Sequence, residues 1–249
     1  MKKPYESHEI AYQKMRKQGI KQWGGKGSGT KGSFSYETKR FLKDVLSQPW
    51  APKEGRVIEF GCGTGPIIRW ICERGFRGLG LDVSKTAIDM AKEQSDGHGV
   101  RFQRGDICNL NTKRLGKFDL VVDGHCYHCI TDIEDRKAYL DTAYNVLKPG
   151  GVFVLMTMCA PVNRKQFKQD WKGQRLHKKV VYFPWRGETC QGMRTFTGQH
   201  YMPTRYMAHW KDILNELRQA DFNLNLIRYN AHNYNDAVGT LTVGALKPK

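Results

Sequence analysis

The sequence predicts an α/β fold, a mostly parallel sheet with helices on both faces. Three observations carry that prediction. Between Arg56 and Met158, short apolar runs alternate with segments of helical periodicity. The apolar runs are nearly continuous, as strands buried on both faces must be. The first run, "RVIEFG", leads straight into a glycine-rich loop and then a helix, the order expected of a crossover unit.

The elements follow in order. "YETKRFLKDVLSQPW" (Tyr36–Trp50) puts Phe41, Leu42, Val45 and Leu46 at helical spacing and breaks at Pro49. Arg56–Gly61 is a strand and Gly65–Gly75 a helix. Phe76–Asp82 is the second strand, followed by a helix over Ser84–Gln94 with Ser84 as N-cap. Val100–Asp106 and Lys117–Asp123 are the third and fourth strands. A helix over Ile133–Leu147, closed by "KPGG", leads to the fifth strand, Gly151–Met158. Residues 159–208 interrupt this rhythm. It resumes with a helix over His209–Phe222 and a closing pair of strands, Asn223–Asn230 and Val238–Lys247. The first 35 residues are polar, and Trp23–Ser33 ("WGGKGSGTKGS") reads as a flexible joint. Residues 1–35 are therefore expected to be a basic lid or a flexible arm on a single domain spanning 36–249.

Composition narrows the class. A chain of 249 residues with 39% hydrophobic and 26% charged residues fits one soluble globular domain. No run approaches the roughly 18 apolar residues that span a bilayer. The basic N-terminus lacks the apolar stretch of a signal peptide. A cytoplasmic location without membrane attachment is expected. Seven irregularly spaced cysteines give no disulfide framework. The net charge of +17 is concentrated: residues 1–40 hold ten Lys/Arg against three Asp/Glu, and residues 159–208 hold ten against two. Two basic segments on a balanced body imply an anionic partner or two solvated surfaces.

The loop "VIEFGCGTGP" carries Gly61, Gly63 and Gly65 at alternate positions. Open α/β sheets bind ligands outside the carboxyl ends of their strands, and glycines there let a ligand touch backbone N–H groups. The dinucleotide pattern G-x-G-x-x-G fails in both registers, since its sixth position falls on Pro66 or Ile68. "VIEFGCGTG" followed by "GLGLDVS" instead resembles class I S-adenosylmethionine-dependent methyltransferases. "GDI" (Gly105–Ile107), "FDLVVD" and "VLKPGG" continue the likeness over residues 56–158.

That resemblance implies a Rossmann-like seven-stranded sheet whose last strand is antiparallel, with lids at the N-terminus and after strand five. It implies S-adenosylmethionine as cofactor. Gly61, Cys62, Gly63 and Gly65 would cradle the methionine part, and Glu59 would help hold the amino group through the loop backbone or a water. Asp82 would accept both ribose hydroxyls with Val83 beside it. Asp106 and the Ile107 N–H would read the adenine. Asp123, ending strand four, is assigned to the same cofactor set.

The acceptor should begin at "DGHCYHCI" (Asp123–Ile130). Enzymes that methylate exocyclic base amines carry Asn/Asp-Pro-Pro-aromatic there, and Asp123-Gly124-His125-Cys126 does not match. His125 and His128 are candidate general bases, with an ordinary value near neutrality. The ligand types of His125, Cys126, His128 and Cys129 suit zinc, but no second pair at zinc-finger spacing appears, and no metal is assigned. Cys126, Cys129, Cys159 and Cys190 gathered at one mouth would suit a thiophilic metalloid. In the insert, aromatics (Phe167, Trp171, Tyr182, Phe183, Trp185, Tyr201, Tyr206) mix with cations, and Arg186, Arg194 and His200 are the candidate substrate contacts. The leading reading is methyl transfer to N, O or S of a small, anionic or nucleophilic molecule. An RNA methyltransferase is the second. A metalloid or thiol methyltransferase and a non-catalytic cofactor-binding scaffold are the others. Oligomeric state is left open.

Overall fold

A computed structural model describes residues 1–24, 34–95, 99–231 and 237–249. After a 3-10 turn at Pro4–Ser7 come α1 (His8–Lys17) and α2 (Tyr36–Ser47). The crossover series follows: β1 (Gly55–Phe60), α3 (Pro66–Cys72), β2 (Phe76–Asp82), α4 (Lys85–Glu93), β3 (Val100–Arg104), β4 (Phe118–Gly124), α5 (Ile133–Val146) and β5 (Leu147–Val162). The insert holds α6 (Arg164–Asp170), β6 (Arg175–His177), β7 (Val180–Pro184), β8 (Arg194–Phe196) and β9 (Gln199–Tyr206). The chain closes with α7 (Trp210–Gln219), β10 (Asn223–Asn230) and β11 (Val238–Leu246).

The main sheet has seven strands in the order β10-β11-β5-β4-β1-β2-β3. β1 to β5 are parallel, and β11 lies antiparallel between β5 and β10. The expected Rossmann-like sheet with an antiparallel last strand is thus the observed one. Its strands are apolar on both faces for the reason the sequence suggested. Along β1, Ile58 and Phe60 join the core under α5 and α7, while Val57 joins the core under α2, α3 and α4. Chain order reverses direction between β1 and β4, so the turns after these strands open onto one crevice.

Most boundaries agree within a few residues. The fifth strand is longer than expected, taking in the "KPGG" turn and pairing with β11 as far as Val162. Ser84 does cap α4, its hydroxyl accepting the Ala87 N–H at 3.0 Å. All seven cysteines are free thiols. Among the described residues no helix is long and apolar enough to cross a membrane.

The insert was expected only as a cap. It forms a four-stranded antiparallel sheet, β6-β7-β9-β8. Its strands are short, and the β8–β9 hairpin turns on Thr197 and Gly198, both at positive φ (47° and 75°). That conformation fits a two-residue primed turn, but Thr in place of Asn or Asp weakens the signal in the sequence. The aromatics that suggested ligand stacking mainly stack on one another. Phe196 meets Tyr182, Tyr201 and His177 at 5.3–5.7 Å between ring centres, and Phe167 packs on Trp171 at 5.2 Å.

The N-terminal segment is docked, not free. Glu9 binds the N-terminus of α4, accepting the Thr86 N–H (3.1 Å), the Thr86 hydroxyl (2.6 Å) and the Ser84 hydroxyl (2.7 Å). Lys3 pairs with Asp135 at 2.7 Å. Tyr12 and Met15 pack on Ala87, with Trp23 against them. Within the expected joint, residues 25–33 lie outside the described residues.

Candidate active site

One cavity of about 460 Å³ lies at the carboxyl ends of β1, β2 and β4, under α1. Its floor is the glycine loop. Gly61 and Gly63 have φ of 63° and 53°, a region open to glycine at little cost. A methyl group at Gly61 would overlap the Cys126 thiol, and one at Gly63 would overlap the Tyr12 hydroxyl. Bare backbone is therefore required by neighbours as well as by φ.

Asp82 ends β2 and is buried. The Gly63 N–H donates to one carboxylate oxygen (2.9 Å) and the Ser84 N–H to the other (2.8 Å). These bonds hold the loop against β2. They use two of the roughly four lone-pair sites of a carboxylate, leaving two for a ligand. Glu59 is buried in the cavity wall, where its carboxylate accepts the Ile68 N–H at 3.0 Å. Burial, with the Asp123 and Asp82 charges, pushes it well above the usual carboxylate range. Asp106 accepts the Tyr5 hydroxyl (3.1 Å) and the Cys108 N–H (3.0 Å). Cys62, Gly65's neighbour Thr64, Val83 and Ile107 complete this end.

The other end is built by the turn after β4 and by the cap. His125, Cys126, His128, Cys129 and Arg205 line it, with His8 of α1 above. His125 takes φ of 78°, a strained conformation for a residue with a side chain, and its Nδ1 is buried without a hydrogen-bond partner. Burial pushes His125 below the ordinary imidazole value. Nδ1 of His128 accepts the Met158 N–H (3.4 Å) and faces the Thr157 hydroxyl (3.3 Å). Burial first, and the Arg205 charge with it, push His128 down too. Both imidazoles are thus neutral near pH 7.

Residues 58–155 match a family described as "Methyltransferase domain". A 2-heptyl-1-hydroxyquinolin-4(1H)-one methyltransferase of Mycobacteroides abscessus is 30% identical over 105 residues, 41% of this chain and 45% of that protein. A ribosomal RNA small subunit methyltransferase C of Alcanivorax borkumensis is 36% identical over 110 residues, 42% of this chain and 32% of that protein. The chain therefore spans less than half the length of these two curated relatives. A Burkholderia thailandensis 1,6-didemethyltoxoflavin-N1-methyltransferase, solved with its substrate and S-adenosylhomocysteine, shares the fold with a TM-score of 0.58 at 15% identity, over 100% of this chain and 92% of that one.

Residues 58–155 form a methyltransferase domain, on a fold shared with S-adenosylmethionine-dependent methyltransferases.

On this fold the expected residues fall into two groups. Glu59, Gly61, Cys62, Gly63, Asp82, Val83, Asp106, Ile107, His125 and His128 share the one cavity. The others do not. Gly65 heads α3 at its N-cap beside the cavity wall. Asp123 points inward: it accepts the N–H groups of Cys126 (2.7 Å) and Tyr127 (2.8 Å) and the Tyr139 hydroxyl (2.6 Å), and is fully buried. Its assignment to the cofactor set is corrected accordingly: it ties the His125 turn to α5. Arg186, Arg194 and His200 are likewise corrected as cavity contacts. Arg194 donates to the Tyr182 hydroxyl (3.1 Å), His200 pairs with Thr195 (3.0 Å), and Arg186 stands on a separate groove with Lys2 and Trp185. Arg205, further along β9 where it pairs with Val181 of β7, does line the cavity. Cys159 lies in the sheet core and Cys190 beside the N-terminus, so the four cysteines do not gather. No local pattern in the sequence marks Tyr5, His8 or Arg205, which also line the cavity.

Proposed function

We propose that this chain transfers a methyl group from S-adenosylmethionine to a nucleophilic N, O or S atom of a small molecule. The observation that carries the reading is the continuity of the cavity: a glycine cradle flanked by Asp82 and Asp106 runs directly into a turn bearing a buried, unpartnered histidine nitrogen, all under α1. A shared cavity of about 460 Å³ lies in the lower half of the roughly 300–1,000 Å³ range of small-molecule pockets. That favours a compact acceptor over a polynucleotide.

The residues present fit the cofactor. The loop backbone from Gly61 to Gly63 lets the ligand's methionine part lie against N–H groups. Asp82 accepts vicinal ribose hydroxyls with the lone pairs its two backbone donors leave. Asp106, already steadied by Tyr5, accepts the adenine amine, and Val83 and Ile107 flank the ring. Glu59 braces α3 and meets the amino group through the loop. Bound there, S-adenosylmethionine supplies an activated methyl group on a positively charged sulfur.

The chain's own task is then alignment and proton removal. His125, neutral and with Nδ1 free, takes the acceptor's proton. His128, held by Met158 and Thr157, orients the acceptor beside it. α1 and the cap limit water. Replacing Asp82 with Ala is expected to weaken S-adenosylhomocysteine binding by about tenfold or more, since it also strands two buried N–H groups; unchanged binding in calorimetry would contradict the ribose assignment. Incubation with radiolabelled methyl donor and fractionated cell extract tests the acceptor class: label in small molecules supports the proposal, and label confined to RNA supports the second reading, which the ribosomal RNA relative and the basic balance favour.

A further inference from the structure

The cavity contains one charge that the methyl-transfer reading does not use. Arg205 enters from β9, opposite Val181 in the cap sheet. A guanidinium carries five N–H donors in a planar fork. Here Nη1 donates to the Thr204 carbonyl (2.8 Å), and among the described residues Arg205 forms no ion pair. A more deeply buried guanidinium is treated differently. Arg136 is buried, bonded to Glu216 at 2.6 Å, and sandwiched by Tyr127 and Tyr206. Leaving a cation half-buried without a counter-ion is costly, which makes the site a receptor for negative charge.

The surroundings agree. The three carboxylates of the cavity are already committed elsewhere: Glu59 to α3, Asp82 to the glycine loop and Ser84, Asp106 to Tyr5 and Cys108. What faces Arg205 is His8, His128 and Cys129. Burial and then the Arg205 charge hold both imidazoles neutral. Burial alone would raise the Cys129 thiol, but Arg205 and His128 outweigh it and draw the thiol below its ordinary value. The acceptor end is therefore electropositive and free of competing anions other than that thiol.

We propose that Arg205 binds an oxyanion, carboxylate or phosphoryl, carried by the acceptor, so that the substrate is a small organic acid. This rests on the reading of the cavity as a methyl-transfer site. Planar two-oxygen groups match the guanidinium fork in a bidentate pair, which fixes orientation as well as adding affinity. The anion anchors the acceptor on the cap wall, with the neighbouring His125 turn left to meet the atom to be methylated. Arg205 acts as a specificity residue: its contact is with the substrate's charge, not with the reacting atom.

The test has two arms. Protein loaded with S-adenosylhomocysteine is titrated with phenylphosphate, benzoate and the neutral control benzamide. Binding of phenylphosphate, benzoate or both, weakened about tenfold or more in Arg205→Gln and partly restored in Arg205→Lys, supports the proposal and tells the two oxyanions apart. S-adenosylhomocysteine affinity, unchanged in both variants, shows that the fold is intact. Benzamide binding as tightly as benzoate, or anion binding unaffected by Arg205→Gln, overturns it. In the second arm, small molecules from cell extract are split on an anion-exchange resin and offered with labelled methyl donor. Label in the retained fraction, with KM raised in Arg205→Gln, supports the proposal; label only in the flow-through overturns it. If no fraction takes label, the methyl-transfer reading falls and the titration alone decides the role of Arg205.

Discussion

Glu9 is a latch, and removing it should open the roof of the cavity. Its carboxylate accepts three bonds from Ser84 and Thr86, at 2.6–3.1 Å, and a fourth from Gln13 at 3.0 Å. It also sits on the positive end of α4, where an anion is favoured. Against the burial that would raise it, bonds from Thr86 and Ser84 bring its value down from 4.5 to about 2. Taken whole, that difference is about 3.4 kcal/mol at 1.36 kcal/mol for each pH unit. Glu9 is half-exposed, so solvent screening cuts the figure to about 1–2 kcal/mol. Glu9→Ala should therefore raise the undocked population of α1 about 5–30-fold. Amide exchange over residues 8–17 reads this directly. Tyr5, His8 and Tyr12 line the cavity, so bound S-adenosylhomocysteine should slow this exchange, while its own affinity falls only by the fraction of chains left undocked. The sign with pH follows from a depressed acid. The latch is fully present above about pH 4.5 and is lost as pH falls through about 2. Unchanged exchange in α1 after Glu9→Ala would refute the latch, and exchange that bound S-adenosylhomocysteine does not slow would refute its coupling to the cavity.

His125→Gly should relieve left-handed backbone strain of about 1 kcal/mol and remove the unpartnered nitrogen. S-adenosylhomocysteine affinity should hold while kcat drops about 10²–10⁴-fold; equal loss of both would make His125 a packing residue. In the wild type, burial lowers the His125 value, so kcat should be flat near neutral pH and fall only in acid. A rising limb above neutrality would rule the imidazole out as proton acceptor. Arg186→Ala with Arg194→Ala should leave both KM and donor affinity unchanged, because neither residue lines the cavity; a clear rise in KM would move the acceptor to the outer face of the cap.

The sheet and the glycine-lined end of the cavity were legible because their signals are local. Continuous apolar runs, glycines at positions that need positive φ, and an acid ending β2 are each set within a few residues. Ser84 could be read as a cap for the same reason. Asp123 shows the limit. Its position in the chain matches that of Asp82, yet only the fold turns its carboxylate inward, toward Tyr139 and the N–H groups of its own turn.

The sequence by itself determined the crossover fold, the bare loop after β1 and the class of ligand that such a loop admits. Tertiary structure alone decided that α1 closes over the loop, through contacts between residues some 75–101 positions apart such as Glu9 with Ser84 and Tyr5 with Asp106. It also brought Arg205, and not Arg186 or Arg194, to the cavity wall. Periodicity says that a residue is on a strand, but which face that strand turns to the cavity depends on hairpin register and on the packing of the cap against the sheet, and neither is encoded within a few residues.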